Sequence, residues 1–300
     1  APVRIDGRDV QVSASIGIAL CPRDGSTPDA LLKSADAAMY EVKEGGKNSY
    51  YFSTVDVRTR LSRRLEVERQ LRQALHENEL EVVYQPQVAL SDSRLVGFEA
   101  LLRWHSADLG IVSPGEFIPV AEEAGLMLSF GDWVLQTACS QVLSWQEQGY
   151  PLTLLSINLA RDQLCAAGFG ARLLTILATT GFAPAQLVLE MKENVVLEHL
   201  EAVTRLINTL SPHGIRFSID DFGTGTSAYS YLKSLPVHLL KIDHRILNES
   251  RQPIGNDGFI RAMVSLADLM NLEVVVGGIE REPQERFLRE LGCDLGQGYL

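Results

Sequence analysis

From Glu79 to Leu300, short apolar runs alternate with stretches long enough to be helices, and that alternation limits the folds open to the chain. Strand candidates end near Gln85, Arg103, Asn158, Glu190, Asp220, Ile242, Gly277 and Leu300, which makes eight. Helix-length segments lie between most of them, at residues 131–148, 163–180, 194–210, 258–270 and 283–291. Eight strands with crossover helices predict a closed α/β barrel of the (βα)8 TIM type rather than an open sheet. One connection breaks the pattern. The turn Ser91-Asp92-Ser93-Arg94 is too short for a crossover, so the first strand is expected to run antiparallel to the second. The barrel spans residues 79–300, and with Leu300 at the eighth strand its C-terminal end is expected to be truncated.

The preceding residues form two smaller pieces. Residues 1–53 read as a strand pair over 10–20, interrupted by Pro22 and Gly25, then a helix over 27–44 ended by Gly45-Gly46. Such an α/β fragment is too small to bury a core alone and looks like the tail of a larger domain. Residues 54–78 read as a helical linker, with Leu61, Leu65, Leu71 and Leu75 sharing roughly one face. That stripe suits packing against the next domain or a homodimer seam, and both are left open.

Charge and cysteine use exclude several classes. The net charge of −11 leaves no basic face for gripping polymeric nucleic acid. No apolar run approaches the roughly 20 residues of a membrane span, so no membrane contact is expected here. Cys21, Cys139, Cys165 and Cys293 form no CxxC pair and suit reduced thiols in a cytoplasmic protein, although a longer parent could be anchored upstream. The six histidines show no zinc spacing.

Chemistry gathers at the strand ends. Asp220 and Asp221 close an apolar strand and run into Phe222-Gly223-Thr224-Gly225. Adjacent like charges repel, and a divalent cation is the usual remedy. Glu99, Asn158, Glu190 and Lys241 end other strands, and carboxyl ends of barrel strands converge on one mouth. An oxygen-rich set suits Mg2+ or Mn2+ rather than zinc. Two ions about 3.5–4 Å apart could share a carboxylate and hold a water between them. Lys241 would steady that water as hydroxide or offset phosphoryl charge.

Residues 79–300 resemble the EAL-domain phosphodiesterases of bacterial second-messenger signalling. The motifs are Glu99-Ala100-Leu101-Leu102-Arg103-Trp104, Ile157-Asn158-Leu159, Glu190-Met191-Lys192-Glu193, Asp220-Asp221-Phe222-Gly223-Thr224-Gly225, Lys241-Ile242-Asp243 and Gln297-Gly298-Tyr299. Residues 1–53 resemble the end of a GGDEF domain through Ser15-Ile16-Gly17-Ile18-Ala19 and Ala35-Asp36-Ala37-Ala38-Met39-Tyr40. The GGDEF signature loop does not occur here, so no cyclase activity is expected of this chain. The resemblance implies a modified barrel with an antiparallel first strand that linearises cyclic di-GMP to pGpG. It also implies a role for each matching residue. Glu99, Asn158, Glu190 and Asp220 would hold one metal ion, Asp221 would hold or share a second, and Lys241 would orient the attacking water. Glu193 would tie down the glycine loop, Gln85 and Arg103 would touch the ligand, and Gln297 would line the floor.

One departure matters. In Val274-Val275-Val276-Gly277-Gly278-Ile279-Glu280 the family normally has a glutamate where this chain has Gly277. Glycine offers neither ligand nor base, and general-base catalysis contributes about 10²–10⁴-fold. The resemblance therefore implies a weakened second ion and slowed turnover. Lys192 is a second departure, replacing a usual threonine beside Glu190. Three readings stand: a slowed hydrolase, a cyclic di-GMP receptor without turnover, and an unrelated Mg2+-dependent barrel enzyme. The intact acids favour the first, Gly277 favours the second, and the Glu99–Trp104 run disfavours the third.

Overall fold

A computed structural model describes residues 3–5, 8–10, 13–44, 48–150, 154–223, 229–243, 245–246 and 257–300. Gly45-Gly46 and Thr224-Gly225 lie outside the described residues. The chain divides into two units, Ala1–Gln73 and Ala74–Leu300.

In the first unit, β1 (Val3–Ile5) pairs antiparallel with β2 (Arg8–Val10), and β3 (Ile16–Ile18) pairs parallel with β4 (Tyr50–Phe52). The expected strand pair over 10–20 is thus corrected: β3 finds its partner beyond helix α1 (Pro28–Glu44), because parallel strands need a crossover. A second helix, α2 (Val55–Leu71), starts and ends earlier than the leucine stripe suggested. Its buried positions include Val67 and Leu71, whereas Leu65 is 58% exposed. Hence the four leucines do not form one face.

The second unit is the barrel. Its strands are β5 (Leu80–Ala89), β6 (Leu95–Ser106), β8 (Leu154–Asn158), β9 (Leu187–Lys192), β10 (Arg216–Phe222), β11 (Leu239–Ile242), β12 (Glu273–Ile279) and β13 (Leu295–Gly298). A short β7 (Gly110–Val112) extends β6 as a side ribbon. Around the barrel the order is β5-β13-β12-β11-β10-β9-β8-β6, closed by pairing of β6 with β5. Only β5 runs antiparallel to its two neighbours. The Ser91–Arg94 turn explains this. Ala89 N–H donates to Arg94 O at 2.9 Å, Ser93 N–H donates to Ala89 O at 2.8 Å, and Asp92 Oδ1 accepts from Arg94 N–H.

Alternation along the strands sets what lies inside. Ala89, Val96, Leu154, Val188, Leu239, Val275 and Leu295 pack together, one from each of seven barrel strands. Their strand neighbours Leu155, Leu187, Leu189, Leu240, Val274 and Val276 pack instead in the larger core with the surrounding helices. The period of two then places Ser156, Glu190, Lys241 and Gln297 directly above this apolar floor. The helix over 194–210 is in fact two, Glu193–Glu198 and Leu200–Leu210, divided at His199. The segment over 163–180 divides likewise into Arg161–Cys165 and Phe169–Thr180.

Candidate active site

Side chains from seven barrel strands meet above the floor. Lys241 donates from Nζ to Glu190 Oε2 at 2.6 Å and to Glu99 Oε2 at 2.7 Å, with Asp220 Oδ1 at 3.9 Å. Glu99 also accepts from Asn158 Nδ2 at 2.6 Å and from Gln297 Nε2 at 2.5 Å. Gln297 Nε2 donates to Gln85 Oε1 at 2.7 Å, and Gln87 Nε2 donates to Gln297 Oε1 at 3.3 Å. The network therefore brings together Gln85, Glu99, Asn158, Glu190, Asp220, Lys241 and Gln297.

Burial and crowding govern the charges. Burial pushes the Glu190 carboxyl up to about 8, with Glu99 and Asp220 adding to the rise and Lys241 opposing it. Burial alone would raise Glu99 too, but Lys241, Gln297 and Asn158 together hold it below the ordinary carboxylate value. Lys241 is raised as well: burial works against its charge, and Glu190, Glu99 and Asp220 outweigh that effect. The ammonium is the cation these acids share.

Regular strands point adjacent residues to opposite faces, yet Asp220 and Asp221 both face other charges of the cluster: Asp220 those of Glu190 and Lys241, Asp221 those of Asp220 and Asp243. The pairing of β10 with β11 shifts between Ile219 and Phe222, and Asp221 adopts φ +56°. A bulge re-aims a side chain in this way, and the left-handed backbone of a non-glycine residue is a mark of functional sites. Burial raises the Asp221 carboxyl, as do Asp220 and Asp243. Gly223 follows at φ +92° and donates its N–H to Glu193 Oε2 at 3.1 Å, while Tyr231 donates to Glu193 Oε1 at 3.0 Å. Glu193 thus grips both sides of the loop after β10.

Arg103 stands apart from this cluster. It lies four residues beyond Glu99 on β6, in register with Glu81, and its Nη1 donates to Leu102 O at 2.9 Å. Asp243, which closes the Lys241-Ile242-Asp243 motif, is 3% exposed and acts directly on Asp221. Its Oδ1 accepts from Arg245 N–H at 2.6 Å, and its Oδ2 accepts from Arg245 Nε at 2.8 Å and from Nη2. The signal that could have found it is simple: it stands two residues after Lys241, just past the end of β11.

The donor set fits a hard divalent cation, because several buried oxygens of negative charge already surround one positive group. As the side chains stand, no three His, Cys, Asp or Glu residues among the described residues converge as a metal site. The Lys241 ammonium takes the central place between Glu99 and Glu190.

A modified (βα)8 barrel with a reversed first strand and an acid-and-lysine mouth defines the class of domain. The EAL domain family matches residues 68–300, and the diguanylate cyclase GGDEF domain family matches residues 1–49. This chain belongs to the EAL-domain family, preceded by a short GGDEF fragment. It is 39% identical over its whole length to the bifunctional diguanylate cyclase/cyclic di-GMP phosphodiesterase MucR of Pseudomonas aeruginosa, covering 44% of that protein. It is 34% identical to the cyclic di-GMP phosphodiesterase NbdA of the same organism, covering 38% of it. The solved PaMucR phosphodiesterase in complex with c-di-GMP superposes with a TM-score of 0.74 at 37% identity, over 78% of this chain and 94% of that one. The chain therefore spans less than half the length of these two curated relatives. Among the described residues, no helix is long and apolar enough to cross a membrane.

Proposed function

We propose that this chain hydrolyses cyclic di-GMP to linear pGpG with Mg2+ or Mn2+, at a rate reduced by Gly277. The observation that carries this reading is the cluster of Glu99, Asn158, Glu190, Asp220 and Lys241 at the mouth of an EAL barrel. In the reaction, a water oxygen bonds to phosphorus, the bond from phosphorus to the ribose 3′ oxygen breaks, and that oxygen leaves with a proton. Glu99, Asn158, Glu190 and Asp220 would hold one metal ion, with Asp221 toward a second. Bound there, the metal supplies charge stabilisation on the phosphoryl oxygens and lowers the pKa of the attacking water.

The chain's own residues do the rest. Lys241 keeps the buried acids in place and orients the water with its remaining N–H. Asp221 has its affinity for a proton raised by burial, Asp220 and Asp243, and so suits sharing the water's proton. Glu193 fixes the loop at Gly223, and the amides of Gln85 and Gln297 present hydrogen-bonding groups to the ligand. Arg103 lies further out on the same strand and would meet the ligand's outer part. Residues 54–78 would act as a linker between the two matched domains.

A second reading has its own support. Gly277 continues the inward face of Val275, so the mouth lacks a carboxylate on β12, as a receptor without turnover would. Chromatography for pGpG with Mn2+ present, together with calorimetry for binding, separates the readings. Formation of pGpG supports hydrolysis, binding without product supports the receptor, and no binding overturns both.

A further inference from the structure

Lys192 ends β9, where every preceding residue of the strand, Leu187 to Met191, is buried and Lys192 itself is exposed. Val188 belongs to the barrel floor and Glu190 to the acid cluster, so the period of two sends Lys192 up the same inward face. It stands about 7 Å further toward the mouth than Glu190, two residues at about 3.3 Å each. In the pairing of β9 with β10 it sits opposite Asp220.

Three other cations are held by acids, and Arg103 stands apart on β6. Lys241 is bound by Glu99 and Glu190, Arg245 by Asp243, and Arg161 by Asp162. Among the described residues, none lies within ion-pair or hydrogen-bond distance of the Lys192 ammonium. An anionic ligand approaching the mouth meets repulsion from the carboxylates of Asp220 and Asp221. A solvated ammonium above those acids offsets that repulsion at the point of entry and can donate to a phosphate oxygen.

We propose that Lys192 is a substrate-binding residue whose ammonium meets a phosphate of the cyclic dinucleotide at the rim above the acid cluster. This rests on the reading of the mouth as a cyclic di-GMP site. The test is calorimetric titration of the whole chain with cyclic di-GMP, at low and at moderate salt, for wild type, Lys192→Ala, Lys192→Glu and Lys192→Arg. The expected result is a Kd weakened about tenfold by Lys192→Ala, more by Lys192→Glu, and about threefold or less by Lys192→Arg. The salt sensitivity of binding should shrink in Lys192→Ala, because a screened charge pair has been removed. Where pGpG is formed, KM should follow Kd while kcat stays within about twofold. Melting curves check folding, and the exposed position makes all three variants compatible with the fold.

Wild-type Kd values unchanged within about twofold in Lys192→Ala and Lys192→Glu overturn the inference alone. Equal losses in Lys192→Ala and Lys192→Arg also overturn it, because charge would then not be what is recognised. A wild-type chain that does not bind cyclic di-GMP at all overturns the functional reading itself.

Discussion

Lys241 and Glu190, 51 positions apart in the chain, meet at 2.6 Å with side chains 10% and 1% exposed. Neither would be charged at that depth alone. Glu190 lies nearer the proton than an ordinary glutamate, and Lys241 holds its charge only because three carboxylates face it. The pair is a pre-paid electrostatic site: charges desolvated on folding are in place before any ligand arrives.

Removing the lysine should expose that arrangement. Lys241→Met leaves Glu99 and Glu190 buried without a counter-charge, a change that typically costs about 3–5 kcal/mol. The sign of its pH dependence follows from Glu99, whose carboxyl Lys241 helps to hold below its ordinary value of 4.5 although burial raises it. A lowered acid contributes stability that is present above pH 4.5 and lost as pH falls through its folded value; without Lys241, burial raises the acid and that contribution becomes a loss that grows with pH. The deficit of Lys241→Met in urea unfolding should therefore be larger at about pH 8 than at about pH 5. A deficit that is the same at both would show that Lys241 does not offset the buried charge of Glu99. Formation of pGpG should be lost in this variant at either pH.

Glu193 holds the loop after β10 through Gly223 N–H and the Tyr231 hydroxyl. Tyr231→Phe removes one donor and should cost about 0.5–1.5 kcal/mol. Glu193→Ala removes both and should accelerate hydrogen exchange at the Gly223 amide, which loses its acceptor. Exchange at that amide unchanged in Glu193→Ala would show that the loop is held by other contacts. Turnover should fall about tenfold or more in Glu193→Ala, with a smaller fall in Tyr231→Phe.

The barrel was legible because period-two runs and a four-residue turn carry it, and β8 and β11 end at Asn158 and Ile242 as expected. The acids at the mouth were legible for the same reason, since strand ends in a parallel barrel share one rim. What the pattern could not carry was side-chain geometry. That Lys241 bonds two glutamates depends on reach across the barrel between residues 142 positions apart, Glu99 and Lys241. The bulge that brings Asp221 against Asp243 also leaves no mark in hydrophobic spacing. At the N-terminus, β3 looked like half of a local pair because its parallel partner lies 34 residues on, from Ile16 to Tyr50.

His238 offers a test at the other end of the barrel. Its Nδ1 accepts from the Phe217 N–H at 3.3 Å, which requires an unprotonated nitrogen. Burial lowers its pKa, Arg216 lowers it further, and Glu273 opposes them. The unfolded chain therefore takes up a proton first as pH falls below about 6.5, and the fold loses stability until His238 also protonates. Urea midpoints of the wild type should drop between about pH 7 and about pH 5.5 by more than those of His238→Gln. Parallel drops in the two proteins would remove His238 as the cause.

Gly277 decides between slow enzyme and receptor. It lies on the inward face of β12, and the nearest atom to a Cβ built there is Ile242 O at 3.9 Å. Its backbone is not in the left-handed region, in contrast to that of neighbouring Gly278 at φ +76°. Neither space nor conformation therefore demands glycine, and Gly277→Glu should fold with stability within about 1 kcal/mol of wild type. The new carboxylate would enter the mouth beside Asp243, supplying the base and oxygen ligand that β12 lacks. Formation of pGpG with Mn2+ should rise by about 10²-fold, the lower end of what a positioned base contributes. A folded Gly277→Glu protein that binds cyclic di-GMP but forms pGpG no faster than wild type would show that the missing acid does not limit turnover. The limit would then lie with the remaining acids or with the loop that Glu193 holds, and the Glu193→Ala exchange measurement separates those two.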